Sequence, residues 1–280
     1  MKINEALLKA KKYLLQSSII NLRPSLESEI LLAYVLKTTR EWLHTWGDQL
    51  LHEDDFEKFW HYIELRKNNY PVEYITHQAG FYSKNFYVNS NVLIPRPETE
   101  LLINSVDFFI QHYQLKNIVE IGTGSGAIAI TLALKYPDIN IIATDISLQA
   151  LEVAQVNIEK FHTTQNNLKN KITLLHTNLI DSVQNDIDLL ISNPPYIAKD
   201  YPLEPHVLLE PHTALFGGER GYEILLQIIQ ESQKRGVRFL ACEMGYDQKE
   251  VLQNALTEVG YKADFYKDFA GIDRGFVAQK

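Results

Sequence analysis

Two short stretches of the chain concentrate residues able to do chemistry: Glu120-Ile-Gly-Thr-Gly-Ser-Gly126 and, further on, Asn193-Pro-Pro-Tyr196. In the first, glycines at alternate positions let the backbone turn sharply and approach a ligand with no Cβ in the way. The stretch follows one apolar run and opens another, so a ligand belongs beyond the carboxyl ends of the strands. Asp145 closes the next apolar run, where a carboxylate can accept both hydroxyl protons of a ribose. Gly122, Thr123, Gly124, Ser125, Gly126 and Asp145 therefore point to a nucleoside cofactor. Which one is left open by the loop, because Gly122-x-Gly124-x-x-Ala127 with Asp145 beyond it also satisfies a dinucleotide fingerprint. Two details favour S-adenosylmethionine. Glu120 is placed to receive an ammonium group, and the second stretch has no natural role in hydride transfer.

That second stretch suits an NH2 acceptor. Pro194 and Pro195 carry no N–H, so the backbone offers carbonyl oxygens, and Pro195 restricts Pro194 to an extended conformation that fixes where its carbonyl points. An incoming NH2 group has two protons to donate. The Asn193 side-chain oxygen and the Pro194 carbonyl can take one each, while Tyr196 offers an aromatic face to a planar amide or base. An amide nitrogen is a poor nucleophile because its lone pair is delocalised. Holding both hydrogens orients that lone pair, and well-oriented reactants lower a barrier by roughly 7–11 kcal/mol.

The elements that position these residues can be read from hydrophobic periodicity. Ile3, Leu7, Ala10 and Leu14, and again Phe56, Phe59, Trp60 and Ile63, recur at helical spacing. Between them an apolar run from Leu26 to Leu36 follows Pro24-Ser25, a helix start, and Asp54 and Asp55 suit the N-terminus of a further helix. Residues 1–75 thus predict a small helical bundle, and 76–93 a β-hairpin linker turning at Ser83-Lys-Asn85. From 94 to 280, strands are expected at 118–121, 139–144, 172–176, 187–192 and 238–243, with helices at 126–135, 147–160, 221–234 and 248–258. Strands separated by crossover helices imply a mostly parallel sheet covered on both faces. The runs 263–269 and 275–279 are too close for a crossover, so one of them must run antiparallel. The expected class is α/β: a Rossmann-like domain with a seven-stranded sheet ending in an antiparallel hairpin.

The formal net charge of −8 weighs against a protein whose main work is gripping nucleic-acid phosphates. Residues 1–75 hold 10 basic and 11 acidic side chains, against 17 and 24 beyond, so the acidity lies in the later part. One cysteine, Cys242, excludes an intrachain disulfide, and its apolar neighbours make it a buried, inert thiol. Met1-Lys-Ile-Asn-Glu5 lacks the pattern of a signal peptide, and no apolar run approaches the ~20 residues of a membrane span, so a cytoplasmic location is expected. His206 and His212 flank Glu210 without further ligands at suitable spacing, so no metal is expected there, and Arg96 and Glu98 suit either organising the cleft or a salt bridge at the domain junction.

Over essentially its whole length the sequence resembles the protein-(glutamine-N5) methyltransferases that modify peptide chain release factors. The resemblance is carried by Val92-Leu-Ile-Pro-Arg-Pro-Glu-Thr-Glu100, the glycine loop, Ala143-Thr-Asp145 and Ile191-Ser-Asn-Pro-Pro-Tyr-Ile197, together with Glu210-Pro-His-Thr-Ala-Leu-Phe-Gly-Gly218, Glu243-Met-Gly-Tyr-Asp-Gln248 and Ala270-Gly-Ile-Asp-Arg274. Of these, Ile94-Pro-Arg-Pro-Glu-Thr-Glu100 is the most selective. The resemblance implies methylation of the side-chain amide of the glutamine in the Gly-Gly-Gln motif of a release factor, with S-adenosyl-L-methionine as the cofactor. It assigns Gly122–Gly126 and Asp145 to the cofactor and Asn193, Pro194, Pro195 and Tyr196 to the glutamine, with Asn193 reaching both, and gives the N-terminal domain and linker a part in holding the release factor. At one point the sequence departs from the family. Thr177-Asn178-Leu179 stands where Gly-Asp and a bulky residue flank the adenine, so Leu179 takes the bulky place and Asn178 replaces the carboxylate.

A nucleic-acid methyltransferase acting on an adenine or cytosine amino group is the nearest rival, since the same tetrapeptide serves an exocyclic NH2. It would need base flipping and a basic surface, against which the acidic balance weighs. A non-catalytic nucleoside-binding partner of translation factors is the rival from another class. Neither direct nucleic-acid binding nor a membrane is expected.

Overall fold

The computed structural model describes every residue except Asn21. The chain divides into two compact units, Met1–Gln78 with Glu204–Leu209, and Ala79–Leu203 with Glu210–Lys280. The first holds α1 (Ile3–Leu14), α2 (Pro24–Leu36), α3 (Arg40–Thr45), α4 (Glu53–Lys67) and α5 (Val72–Thr76). Ile3, Ala6, Ala10 and Leu14 of α1 meet Leu31 and Leu32 of α2 and Phe59 and Ile63 of α4 in one apolar core. Leu7, expected in that core, is only half-buried, because Ala6 takes the inward place. Pro24 opens α2 at the first helical position, and Glu53, Asp54 and Asp55 fill the first turn of α4, where the helix dipole favours negative charge. Across the bundle, Glu27 and Arg66 form a buried ion pair at 2.6 Å.

The second unit begins with a hairpin, β1 (Ala79–Phe81) and β2 (Lys84–Phe86). Phe81 pairs with Lys84, so the turn is Tyr82-Ser83, one residue earlier than the expected Ser83-Lys-Asn85. Both turn residues have positive φ, 48° and 59°, as a two-residue hairpin turn requires. Tyr-Ser hides that turn from a sequence reading that looks for Asn-Gly. Outside contacts hold it instead: the Tyr82 N–H donates to the Glu100 carboxylate and its hydroxyl to Asn104. Phe81 and Phe86 are buried and meet edge to face, their ring centroids 6.0 Å apart.

The rest follows in alternation: α6 (Thr99–His112), β3 (Asn117–Ile121), α7 (Ala127–Lys135), β4 (Asn140–Asp145), α8 (Leu148–Phe161), α9 (Leu168–Lys171), β5 (Ile172–His176) and β6 (Leu189–Ser192). Then come β7 (Ile197–Ala198), α10 (His212–Leu215), β8 (Phe216–Gly218), α11 (Glu223–Lys234), β9 (Phe239–Glu243), α12 (Lys249–Glu258), β10 (Lys262–Lys267) and β11 (Asp273–Gln279). Seven strands form one sheet in the order β10-β11-β9-β6-β3-β4-β5, and β11 alone runs against the others. Alternate residues of each strand face opposite cores. Ile118, Ile141, Ile191 and Ala241 pack with α6, α7 and α8, while Val119, Ile121, Leu190 and Leu240 pack with α11 and α12. Cys242 is fully buried in the second core, where desolvation pushes its thiol up, out of the reactive range.

The expected strand 263–269 stops at Lys267, because Asp268 turns the chain by accepting the N–H groups of Ala270 and Ile272. That leaves Phe269 fully exposed at the tip. Helix α6 lies outside the helices expected from the sequence, and Leu102, Ile103, Val106 and Ile110 form its buried stripe. At the start of α8 the Ser147 hydroxyl accepts the Ala150 N–H at 3.1 Å, an N-cap. Ser147→Ala is expected to lower stability by about 1 kcal/mol, read as a fall in the midpoint of urea unfolding at unchanged slope. Among the described residues no helix is long and apolar enough to cross a membrane.

Candidate active site

Strand order reverses between β3 and β6. From β3 the chain moves outward to β4 and β5, then crosses back to β6 on the other side of β3. In an open parallel sheet such a switch leaves a crevice at the carboxyl ends of the strands, and ligands bind there. The glycine loop leaves β3 and Asn193 leaves β6 at this crevice, which holds a cavity of about 330 Å³.

Gly122, Gly124 and Gly126 have φ of 70°, 54° and 78°, a conformation that costs a side-chain-bearing residue about 1–2 kcal/mol. A Cβ on Gly122 or Gly124 would meet nothing of the protein, so the space above the loop is open to a ligand. A Cβ on Gly126 would lie 3.1 Å from Ile130 and 3.4 Å from Ala154, so that glycine lets α7 and α8 approach the loop rather than line the cavity. Behind the loop the buried Glu120 accepts the Thr123 hydroxyl at 2.8 Å and the Ala129 N–H at 3.1 Å, both on Oε2. Burial pushes its carboxyl up to about 8, so a cation beside it would favour the ionised form. Asn157, fully buried on α8, donates to the carbonyls of Ser125 and Tyr87 and ties the loop to the segment after the hairpin.

Asp145 ends β4 and lines the cavity. Its Oδ2 accepts the Gly124 N–H and its Oδ1 the Ser147 N–H, both at 2.9 Å. A carboxylate has lone pairs beyond these two, so both oxygens keep acceptor capacity toward the cavity. Desolvation raises its pKa, against the hydrogen bonds from Ser147 and Gly124. Leu179 holds φ at 45°, unusual for a residue with a side chain, and its carbonyl accepts the Thr144 hydroxyl at 2.8 Å. Thr177, Asn178 and Leu179 all line the cavity.

Asn193, Pro194 and Pro195 form the opposite wall. The Asn193 Nδ2 donates to the Thr99 hydroxyl at 3.0 Å, and Thr99 donates to the Glu243 carboxylate at 2.7 Å. A hydroxyl has one proton, so Thr99 can only accept from Asn193, which leaves the Asn193 Oδ1 as the group available to a ligand. Tyr196 does not line the cavity; its ring packs toward the α11 and α12 core and its hydroxyl donates to the other Glu243 oxygen at 2.9 Å. Burial of Tyr196, and after it the nearby Glu243, drive the tyrosine pKa upward, so the phenol stays neutral. The backbone of the tetrapeptide is gripped as well. Gln248 donates to the Tyr196 carbonyl at 2.7 Å, and a Cβ on Gly217 would stand 2.4 Å from the Pro195 carbonyl. Only glycine allows β8 so close. Arg96 forms an ion pair with the buried Glu210, which also accepts the Ile94 N–H at 3.0 Å, so this pairing lies within the unit that carries the cavity. His212 meets the Phe216 ring edge-on.

The structure thus brings together Gly122, Thr123, Gly124, Ser125, Asp145, Leu179, Asn193, Pro194 and Pro195 around one cavity, and sets Gly126 and Tyr196 behind its walls. Thr99, Glu243 and Gln248 join the site through contacts that the sequence motifs do not announce. The available signal for Glu243 was a lone carboxylate closing the apolar run Phe239-Leu-Ala-Cys242.

A doubly wound sheet with a glycine loop and an Asn-Pro-Pro-Tyr turn at its switch point defines a class I methyltransferase. The comparisons agree with that class. The methyltransferase small domain model matches residues 97–205 and the PrmC N-terminal domain model matches 5–76. A release factor glutamine methyltransferase of Clostridium acetobutylicum is 32% identical over 99% of this chain and 98% of its own. A bifunctional methyltransferase of Rickettsia typhi is 36% identical over 91% of this chain, which spans about half of that protein, 53%. Among solved structures, the hMettl16 catalytic domain in complex with a MAT2A 3'UTR hairpin matches at a TM-score of 0.57 and 19% identity, covering 81% of this chain and 82% of that one, a likeness of fold. The chain belongs to the release factor glutamine methyltransferase family, and its cofactor is S-adenosylmethionine.

Proposed function

We propose that this chain methylates the side-chain amide nitrogen of the glutamine in the Gly-Gly-Gln motif of a peptide chain release factor, in the cytoplasm. The observation that carries the reading is the fixed Asn193 carboxamide: with its nitrogen spent on Thr99, its oxygen is left free beside Pro194 in the cavity of the glycine loop. The residues present fit the cofactor, since open space lies above Gly122 and Gly124 and a carboxylate closes β4. Bound S-adenosylmethionine supplies an electrophilic methyl group on a sulfonium. Gly122–Ser125 would cradle it, Asp145 would accept the ribose hydroxyls, and Leu179 would pack against the adenine.

Asn193 Oδ1 and the Pro194 carbonyl each accept one proton of the glutamine NH2. The lone pair then points along the line of displacement, and the proton is lost during or after transfer, with no strong base required beside it. Discrimination follows from the same pair, because an acceptor without NH2 strands both buried oxygens. Tyr196 braces the turn from behind through Glu243. The helical unit and the hairpin help hold the protein substrate. Incubation with labelled S-adenosylmethionine and either release factor or DNA tests the reading. Label is expected in the release factor, and is expected to vanish when the Gly-Gly-Gln glutamine is changed to alanine. Label in DNA instead would favour the amino-base reading.

A further inference from the structure

The carboxylate behind the clamp is buried, titratable and unused by the transfer step. Glu243 closes β9 at 2% exposure, and each of its oxygens accepts one hydroxyl, Thr99 on Oε2 and Tyr196 on Oε1. Thr99, 4% exposed at the start of α6, stands between that carboxylate and Asn193. We infer that Glu243 is a positioning residue whose ionised form, acting through Thr99, sets which end of the Asn193 carboxamide faces the substrate.

The inference follows from counting protons. An ionised carboxylate accepts only, so Thr99 must donate to Glu243 and accept from Asn193, and the Asn193 oxygen faces the acceptor. A Glu243 protonated on Oε2, with Oε1 still accepting the Tyr196 hydroxyl, has a proton to donate to Thr99. The Thr99 proton then goes to the Asn193 oxygen, the carboxamide turns over, and its NH2 faces the incoming NH2. Two donors cannot pair. The clamp therefore needs Glu243 charged, and its chain of three side chains acts as a polarity switch on the acceptor site. This rests on the proposed amide chemistry for its consequence in turnover, though the hydrogen-bond chain exists without any substrate.

The groups facing Glu243 decide where it titrates. Burial raises its pKa above the ordinary carboxylate range and Glu98, before α6, adds to that rise; the hydrogen bonds from Thr99 and Tyr196 and the positive charge of Arg274 on β11 act the other way. The buried phenol of Tyr266 on β10 also faces the site, and it stays neutral because burial raises it too. Since the folded pKa is raised and the charged form is the working one, activity is lost as pH falls through that raised value. The loss begins at a higher pH than a solvent-exposed carboxylate would give.

Two readouts on the chain as it stands test the inference. In wild type, the isotope-labelled side-chain amide signal of Asn193 is expected to shift with pH at the Glu243 midpoint, and in Glu243→Gln and Thr99→Val that shift is expected to disappear. In parallel, kcat on a Gly-Gly-Gln substrate is expected to show an acid limb in wild type. Glu243→Gln should lose that limb and fall about 10- to 100-fold in kcat, the range over which removal of an orienting partner acts on the group it orients, with the KM for S-adenosylmethionine little changed. A merely structural Glu243 would lower thermal stability and leave the limb in place. An Asn193 signal that ignores pH, or that still titrates in Glu243→Gln, overturns the inference. Wild type that transfers no methyl at any pH overturns the functional reading instead, and the amide titration still decides the hydrogen-bond chain.

Discussion

Asn193→Ala is expected to lower kcat for methyl transfer by about 10²- to 10³-fold, the loss seen when one preorganised polar group is removed from a reacting centre. Affinity for S-adenosylmethionine should change by less than about fivefold, under roughly 1 kcal/mol. The asymmetry comes from the geometry. The Asn193 oxygen is held toward the cavity by a bond from its own nitrogen to Thr99, so its orientation is settled before substrate arrives. Such preorganisation helps the transfer step in particular, because holding both hydrogens of the amide nitrogen orients its lone pair toward the methyl group. Single-turnover rates and calorimetric titration of the cofactor, run side by side, separate the two effects. Equal losses in rate and cofactor affinity would mean that Asn193 serves the cofactor rather than the acceptor.

Asp145→Ala is expected to do the reverse, weakening S-adenosylmethionine binding by roughly 10²- to 10⁴-fold. Two hydrogen bonds from ribose hydroxyls to a charged group contribute about 1.5–3 kcal/mol each, and each 1.4 kcal/mol is about tenfold. The substitution also frees the Gly124 and Ser147 amides, which Asp145 holds at 2.9 Å, so the glycine loop keeps only its Thr123 N–H bond to the Thr144 carbonyl as a tie to β4. Asp145→Asn should retain part of the affinity, since it keeps one acceptor but places a donor where a carboxylate oxygen stood. Calorimetric titration with the demethylated cofactor product checks both variants without dependence on turnover. An unchanged Kd in Asp145→Ala would place the ribose elsewhere.

Much of the catalytic unit was legible in the sequence because its signals are local. Each inner strand is a short apolar run, and the glycines at 122, 124 and 126 announce a backbone with positive φ whatever lies around them. That one of the last two strands runs against the rest could be inferred because the gap between them is too short to cross the sheet, while the pairing partners settle that it is β11. What stayed hidden depends on distant partners. The Tyr82-Ser83 turn lacks the residues such a turn prefers and is held by Glu100 and Asn104 on a helix. The two-residue strand β7 has too little pattern to read, and its place is fixed by Gly217 and Gly221 pressing on the tetrapeptide backbone. Thr99 and Glu243 lie far apart in sequence and gain meaning only when α6 and β9 bring them together behind Asn193. Tyr196 shows the same limit from the other side: its type suggested a stacking surface, while its hydroxyl is committed to a carboxylate that no local pattern connects to it.

The most direct test is a structure of the chain with the demethylated cofactor product and a peptide bearing Gly-Gly-Gln. The glutamine side-chain nitrogen is expected within roughly 3.2 Å of both the Asn193 Oδ1 and the Pro194 carbonyl, with its remaining face toward the sulfur. A bound glutamine whose nitrogen meets neither oxygen, with residues 193–196 turned from the cofactor, would contradict the account.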